Sequence, residues 1–516
     1  MLYLAFIWHM HQPYYKDLET GELLLPWVRL HGIKDYLDMV QLLAKFPKIK
    51  QVFNFVPSLL DQIQDYAGNN ASDKFLGLSY KKAEDLSQED KNFLLQNFFM
   101  ADMERVLSIH PRYYELYLKK SQRQEFTTQD FRDLQVWFNL AWFDPSFRND
   151  IPALRKLTFK GRFYTEEEKI VILKAQIDIL RQIIPTYQKF IASGQVEVTT
   201  SPYYHPILPL LYDTKIAQET FFKITLPKKR FSFPEDVKWQ IEAAVNQSRE
   251  NFGLAPAGMW PSEEAVSEHI IPFIINAGIK WIICDEAILF KSLKKKKRDD
   301  ELIYRPYCLK REEGTLNVIF RDRNLSDLIG FVYHRWQTET AVDNLLAHFK
   351  NISQLFTESD GLLTIAMDGE NAWEYYPNDG IDFLSLLYQK ISESDWIKTE
   401  TVSGYLANHQ PTDNLKRLAA GSWIYGDFNK WIGRYEKNLA WDFLTEARNA
   451  LKNKSDKLSK DNLDKAFQQI YIAEGSDWFW WYGEDPGAFD VLFRKHLTNF
   501  YKIIGENPPE YLNRPI

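Results

Sequence analysis

Cysteine is almost absent: Cys284 and Cys308 are the only two in 516 residues. Two thiols make neither a disulfide framework nor a metal-ligand set, and they suit a reducing, cytoplasmic setting. Long hydrophobic runs are missing too. The opening MLYLAFIWHMHQP lacks a basic start, and its apolar run is only about seven residues, so it predicts neither a signal peptide nor a membrane span. There is no surplus of positive charge. The net charge is -7, which argues against nucleic acid as a partner, and the basic run Lys294–Arg298 is followed at once by Asp299, Asp300 and Glu301 in the manner of a solvated loop. No P-loop, no paired-glycine fingerprint after the first strand and no GxSxG elbow occurs. No HExxH, CxxC or EF-hand loop occurs either, so no metal or cofactor is expected.

Aromatic residues are abundant instead: 16 Trp, 27 Tyr and 35 Phe. Many stand beside acids, as in GSWIYGDFNKW (421–431) and DWFWWYGED (477–485). Rings next to hydrogen-bonding groups suit sugars, which have apolar C–H faces and hydroxyl rims. Large cores and domain interfaces use Trp and Tyr as well, and composition alone does not separate the two.

The length calls for two domains, or a barrel with additions. Seven short apolar runs read as strands: Leu2–Trp8, Lys50–Val56, Gln195–Thr200, Pro256–Trp260, Lys280–Cys284, Leu316–Phe320 and Leu362–Met367. Helical patterns lie between them. Thr165 with Glu168 forms a capping-box pattern before one long helical face, Phe131, Leu134, Phe138 and Ala141 keep helical spacing after Thr128 as N-cap, and further helices are expected over 236–252, 266–277 and 341–356. Strands alternating with helices predict a parallel sheet, and seven of them suit a TIM-like barrel. After Ile391 only helical patterns remain (429–452, 461–473 and 487–504). The expected organisation is a catalytic barrel over residues 1–398 and an all-helical domain over 399–516 whose loops reach the site.

Four of the seven strands end in acids: Glu263, then Asp285 with Glu286, then Asp322, then Asp368 with Glu370. An unpaired buried carboxylate is costly, and the carboxyl ends of parallel strands converge on one pocket. Glu197 lies inside the third strand, facing either solvent or the barrel interior near its mouth. His9 and His11, two apart, share one side if the first strand continues. Such residues leave two chemistries open: glycoside cleavage by a carboxylate pair, and metal-assisted hydrolysis with His and Asp ligands.

Five segments, in order, resemble glycoside hydrolase family 57, the α-glucan-active enzymes: HMHQP (9–13), GQVEVTTSPYYHPILPLL (194–211), GMWPSEEAVSEH (258–269), MDGENAWEYYP (367–377) and AEGSDWFWWYG (473–483). The resemblance implies an incomplete (β/α)7 barrel with a helical C-terminal domain and a retaining double displacement without cofactor. It implies Glu263 as nucleophile and Asp368 as general acid/base. His9, His11, Glu197, Trp260, Glu370 and Trp373 would line the sugar pocket, with Asp477 and Trp480 reaching in from the helical domain. Glu264, beside Glu263, is the competing carboxylate. The expected substrate is an α-1,4-glucan or maltooligosaccharide, cut in the manner of the family's amylase and amylopullulanase branch. The alternatives are 4-α-glucanotransferase or branching activity, and a metal-dependent carbohydrate hydrolase.

Overall fold

A computed structural model describes residues 1–516 apart from Asn69, Asn70, Asn371 and Pro486, so the amide of the DGEN segment lies outside the described residues. All seven expected strands form: β1 (Leu2–Met10), β2 (Gln51–Phe55), β3 (Val196–Thr200), β4 (Gly258–Met259), β5 (Trp281–Asp285), β6 (Gly314–Arg321) and β7 (Gly361–Asp368). They pair in parallel in the order β7-β1-β2-β3-β4-β5-β6. Between β6 and β7 there is no ladder. The gap is bridged by Asp322 N–H donating to the Thr364 carbonyl (2.9 Å) and by Arg321 Nε donating to the Ala366 carbonyl (2.8 Å). The result is the incomplete (β/α)7 barrel.

The fourth strand is shorter than expected, with two paired residues. Gly258 sits on the Trp281 indole so closely that a Cβ would lie 2.2 Å from the ring, so the chain passes over an aromatic face that no side chain leaves room for. Two further strands of this sheet carry no strong sequence signal: Tyr307–Arg311, antiparallel to β6, and Ile397–Thr399, parallel to the start of β1.

Alternation along the strands splits the apolar residues into two cores. Leu4, Phe6, Trp8 and Met10 face outward into the large core shared with the helices. Ala5 and Ile7 face inward, where they meet Val52, Trp260, Trp281, Ile283, Ile319 and Ala366. The helix Val402–Asn408 closes the amino end of this interior with Val402, Tyr405 and Leu406. Thr399 is still in register with Leu4, and this plug follows it.

A helical insertion fills the span between β2 and β3. The helix expected after Thr128 is found at Thr128–Leu140, capped one residue earlier by a Thr127–Asp130 capping box, and the Thr165–Glu168 box caps Glu166–Leu180. Helix Ile271–Asn276 is shorter than its expected counterpart because a 3-10 turn, Glu268–Ile270, precedes it. The C-terminal helices are Tyr435–Lys454, Lys460–Ala473, Ser476–Trp481 and Gly487–Ile503. Arg448 ties the first of these to helix Pro234–Phe252 through a two-pronged contact with Asp236 (2.8 and 2.9 Å).

Candidate active site

The carboxyl ends of β1, β4 and β7 bring the expected residues together. In the β1–β7 register His9 stands opposite Asp368. The next residue of β7, Gly369, donates its N–H to the His9 carbonyl (2.8 Å), and a Cβ there would strike the Met10 sulfur at 2.3 Å. A side chain at this position would require the Met10 side chain to move aside. His9 is buried, bonded through Nδ1 to Asn54 Oδ1 (2.6 Å), and stacked on Trp260 with ring centroids 4.8 Å apart. Burial first, and then the neighbouring His11, lower its pKa to about 3, so it is neutral and donates from Nδ1.

His11 is held differently. Its Nε2 lies 2.8 Å from Asp477 Oδ1, and its ring stacks on His205 at 4.0 Å. Burial acts to strip its proton, but the Asp477 carboxylate, with smaller help from Glu370 and Glu263, outweighs burial and raises the pKa above the usual histidine value. Asp477, expected in a loop, belongs to the first turn of the short helix Ser476–Trp481. That helix is stitched to the barrel: Ser476 N–H donates to the His205 carbonyl (3.0 Å), and Pro206 bridges to Gly475.

Glu263 follows β4 in a left-handed conformation (φ 58°, ψ 25°), and Glu264 after it is left-handed too (φ 50°). Among the described residues nine non-glycine residues have positive φ, and His205, Glu263, Glu264 and Tyr425 all border this site. Such strain concentrates where function requires it. The Glu263 carboxylate accepts from Trp423 Nε1 (2.8 Å), and the Glu263 carbonyl accepts from Trp423 N–H (3.1 Å). Burial and then the charge of Asp368 push the Glu263 pKa up to about 8, with the Trp423 bond opposing them. The two carboxyls are thus electrostatically linked, a charge on Asp368 disfavouring one on Glu263. Glu264 is fully buried, and neither of its carboxyl oxygens has a hydrogen-bond partner among the described residues. Burial drives its pKa far above the carboxylate range, so it is a neutral acid behind Glu263, not a second anion in the site.

A cleft of about 880 Å³ opens beside this group, lined by Asp368, Arg323, Phe331, Tyr375, Trp423 and Trp480 among others. The Trp480 ring lies under the Lys430 ammonium at 4.4 Å. Arg321 stacks on Trp423, its guanidinium 5.0 Å from the ring centre, while its Nε holds the Ala366 carbonyl of β7. One side chain thus braces both the indole that holds Glu263 and the strand that delivers Asp368.

Three expected site residues lie elsewhere. Glu197 is at the amino end of the barrel, opposite the mouth. It accepts from Trp281 Nε1 (3.0 Å), Ser403 Oγ (2.6 Å) and Ser403 N–H (2.9 Å), which fastens the plug helix. Trp373 is buried in the core against Trp8 (5.7 Å) and Tyr376 (5.4 Å). Its near neighbour Tyr375, 50% exposed, faces the cleft instead. Glu370 is buried beneath the site, where it accepts from His11 N–H (2.9 Å) and Tyr36 Oη (2.8 Å). It positions the His11 backbone. Conversely His205 and Trp423 are central. The prolines flanking His205 and the GSWIYGDFNKW cluster were the signals that marked them.

His11, His205 and Asp477 place one ligand atom each within 4.8 Å of one another, near enough to hold an ion. The two imidazoles, however, stack plane on plane at 28°, so their in-plane nitrogen lone pairs run side by side and do not converge on one point.

A barrel whose strand ends bring Asp368 into an aromatic cleft and Glu263 against Trp423 of the cleft wall has the makings of a carbohydrate-cleaving enzyme of the glycosidase type. The sequence model of glycosyl hydrolase family 57 matches residues 5–416, and the chain belongs to that family of retaining glycosidases. Alpha-amylase 1 of Dictyoglomus thermophilum is 25% identical over 295 residues, which make up 56% of this chain and 35% of that protein. The match thus spans about a third of the relative's length. The GH57-type branching enzyme of Pyrococcus horikoshii superposes with a TM-score of 0.64 at 18% identity over 97% of this chain and 89% of that one. The alpha-amylase AmyC of Thermotoga maritima gives 0.57 at 13% identity over 98% and 93%. These two likenesses establish the fold. Among the described residues no helix is long and apolar enough to cross a membrane.

Proposed function

We propose that the protein is a retaining hydrolase of α-1,4-glucans of the amylase and amylopullulanase type, with maltooligosaccharides as its small substrates. Glu263 is the nucleophile and Asp368 the general acid/base. The observation that carries the reading is the pairing itself: a buried, left-handed Glu263 whose carboxylate is held by Trp423 and feels the charge of Asp368, so that a proton on Asp368 favours the ionised Glu263. Asp368 gives its proton to the glycosidic oxygen as the Glu263 carboxylate attacks C1, forming a glycosyl ester. Asp368, now ionised, takes a proton from the water that hydrolyses the ester, which restores both groups. The buried ring atoms His11 Nδ1, His205 Nε2 and Trp260 Nε1 have no protein partner among the described residues, and in this reading they meet sugar hydroxyls. The amylase name of the Dictyoglomus relative supports hydrolysis. No metal enters the steps, since the two carboxyls and water complete them.

Product analysis on amylose, pullulan and short maltooligosaccharides tests the reading. Shorter α-1,4 products with retained anomeric configuration are expected, and Glu263→Gln and Asp368→Asn each remove nearly all turnover while the fold persists. Products longer than the substrate would instead identify a 4-α-glucanotransferase or branching enzyme. Substantial turnover by either variant would overturn the catalytic assignment.

A further inference from the structure

The cleft is not the only depression on this face. A second groove of about 510 Å³ lies beside it, lined by Phe221, Lys223, Thr225, Asn429, Arg434 and Glu484 among others. The two share Ile424, Tyr425 and Lys430 as a common wall. Tyr425 is therefore a partition with a groove on either side.

Tyr425 is also an anomaly. It is 86% exposed, and its side chain makes no hydrogen bond or ring contact among the described residues. Its φ of 53° is left-handed, a conformation that a residue with a side chain rarely adopts. The loop beneath it is fastened: Ser422 Oγ donates to the Asp427 carbonyl (2.6 Å) and Lys291 Nζ to the Gly426 carbonyl (2.5 Å). A strained, fixed backbone that holds a large ring free in solvent gains nothing for the fold. Across the groove Phe221 is 49% exposed and Phe222, next in sequence, 83%. Neither ring has an aromatic partner among the described residues. Exposed rings next to Thr, Asn, Arg and Glu make a surface for sugar, whose C–H faces stack on aromatics and whose hydroxyls take the polar rim. The groove's size falls within the range of ligand sites.

We propose that this groove is a second α-glucan site, which holds the continuation of the chain whose reacting end lies in the cleft, with Tyr425 as the ridge the polymer crosses. The proposal rests on the α-glucan reading above. It requires long chains to gain binding energy that short ones cannot reach. Continuity with the cleft, through a shared wall, is what selects a glucan as occupant over a protein partner.

The test compares amylose with maltotetraose as substrates of the full-length enzyme. Phe221→Ala is expected to raise KM for amylose at least about fivefold, while kcat/KM for maltotetraose changes less than about twofold. Phe221→Trp, which keeps an aromatic face, is expected to restore the amylose KM. Thermal melting of each variant should match the parent. An unchanged amylose KM, or equal losses on the two substrates, would overturn the second site while leaving the α-glucan reading intact. Failure of the parent enzyme to turn over either substrate would overturn both.

Discussion

At the scale of single residues, the site is a set of carboxyl groups whose surroundings make them unlike one another. Trp423 is the residue on which Glu263 depends most, since its indole N–H is the hydrogen-bond donor found on that carboxylate. Trp423→Phe removes the donor and keeps a ring for Arg321. A hydrogen bond to a charged group contributes about 1.5–3 kcal/mol, so kcat should fall roughly tenfold to about a hundredfold. The acidic limb of the kcat/KM profile should move to higher pH, because the lost bond had been lowering the Glu263 pKa. An unchanged limb would show that the indole only packs. Glu264 behaves oppositely. Its folded pKa lies well above its value of 4.5 in the unfolded chain. Its contribution to stability is therefore fully present below about pH 4.5 and is lost as pH rises, when the unfolded chain ionises and the native one does not. Glu264→Gln is isosteric with the neutral acid. It should keep full activity, melt like the parent at pH 4, and melt higher than the parent at pH 8. A loss of activity in Glu264→Gln would make it the better candidate for nucleophile.

At the scale of elements, much was legible in the sequence and the errors have physical causes. Each parallel strand is a bare apolar run because both its faces are buried, so all seven could be located without the fold. The acids after β4 and β7 were legible because charges that end an apolar run stand out, but the same signal marked Asp285, Glu286 and Asp322, which form ion pairs with Arg323 and Arg298. Glu197 shows what a strand pattern cannot give. Alternation tells which face a residue is on, but the height along the barrel depends on which strand end the site occupies, and Glu197 is only the second residue of β3. Trp373 and Tyr375 flank one 3-10 turn, whose short repeat sends neighbours to opposite sides, and motif adjacency does not resolve them. Trp423 was overlooked as a site residue because its partner Glu263 is 160 positions away. The corrected place of Glu197 makes a prediction about the plug helix. In Glu197→Gln, the amide nitrogen would face either Ser403 N–H or the Trp281 indole N–H, donor against donor. This should cost about 1–3 kcal/mol of stability, seen as a lower denaturant midpoint, with kcat and KM unchanged. A raised KM at parental stability would return Glu197 to the sugar pocket.

At the scale of the whole molecule, the site is completed only where the helical region meets the barrel. Asp477 is the contact that carries the coupling. Its helix is pinned by Ser476 to the His205 carbonyl, and its carboxylate reaches His11, the residue that Glu370 fixes from below. An interface needing only adhesion would not spend a carboxylate among tryptophans, because an unpaired charge in that position is costly. Here the charge has a partner, and its effect is to keep His11 protonated against the pull of burial. Asp477→Asn has nearly the same volume and retains one acceptor oxygen, so the interface should survive and the melting temperature should match the parent. The His11 pKa should fall, since the largest of the causes that raise it is gone while burial remains. If the His11 imidazolium binds the sugar in the transition state, activity of the parent is lost as pH rises through that raised pKa. In Asp477→Asn the same loss should set in at lower pH, with kcat/KM at neutral pH down at least about tenfold, or roughly 1.4 kcal/mol of transition-state binding. NMR titration of the His11 ring in parent and variant separates the two roles of Asp477. A lowered His11 pKa with wild-type kinetics would make the pair structural, and an unchanged pKa with reduced activity would place Asp477 itself against the substrate.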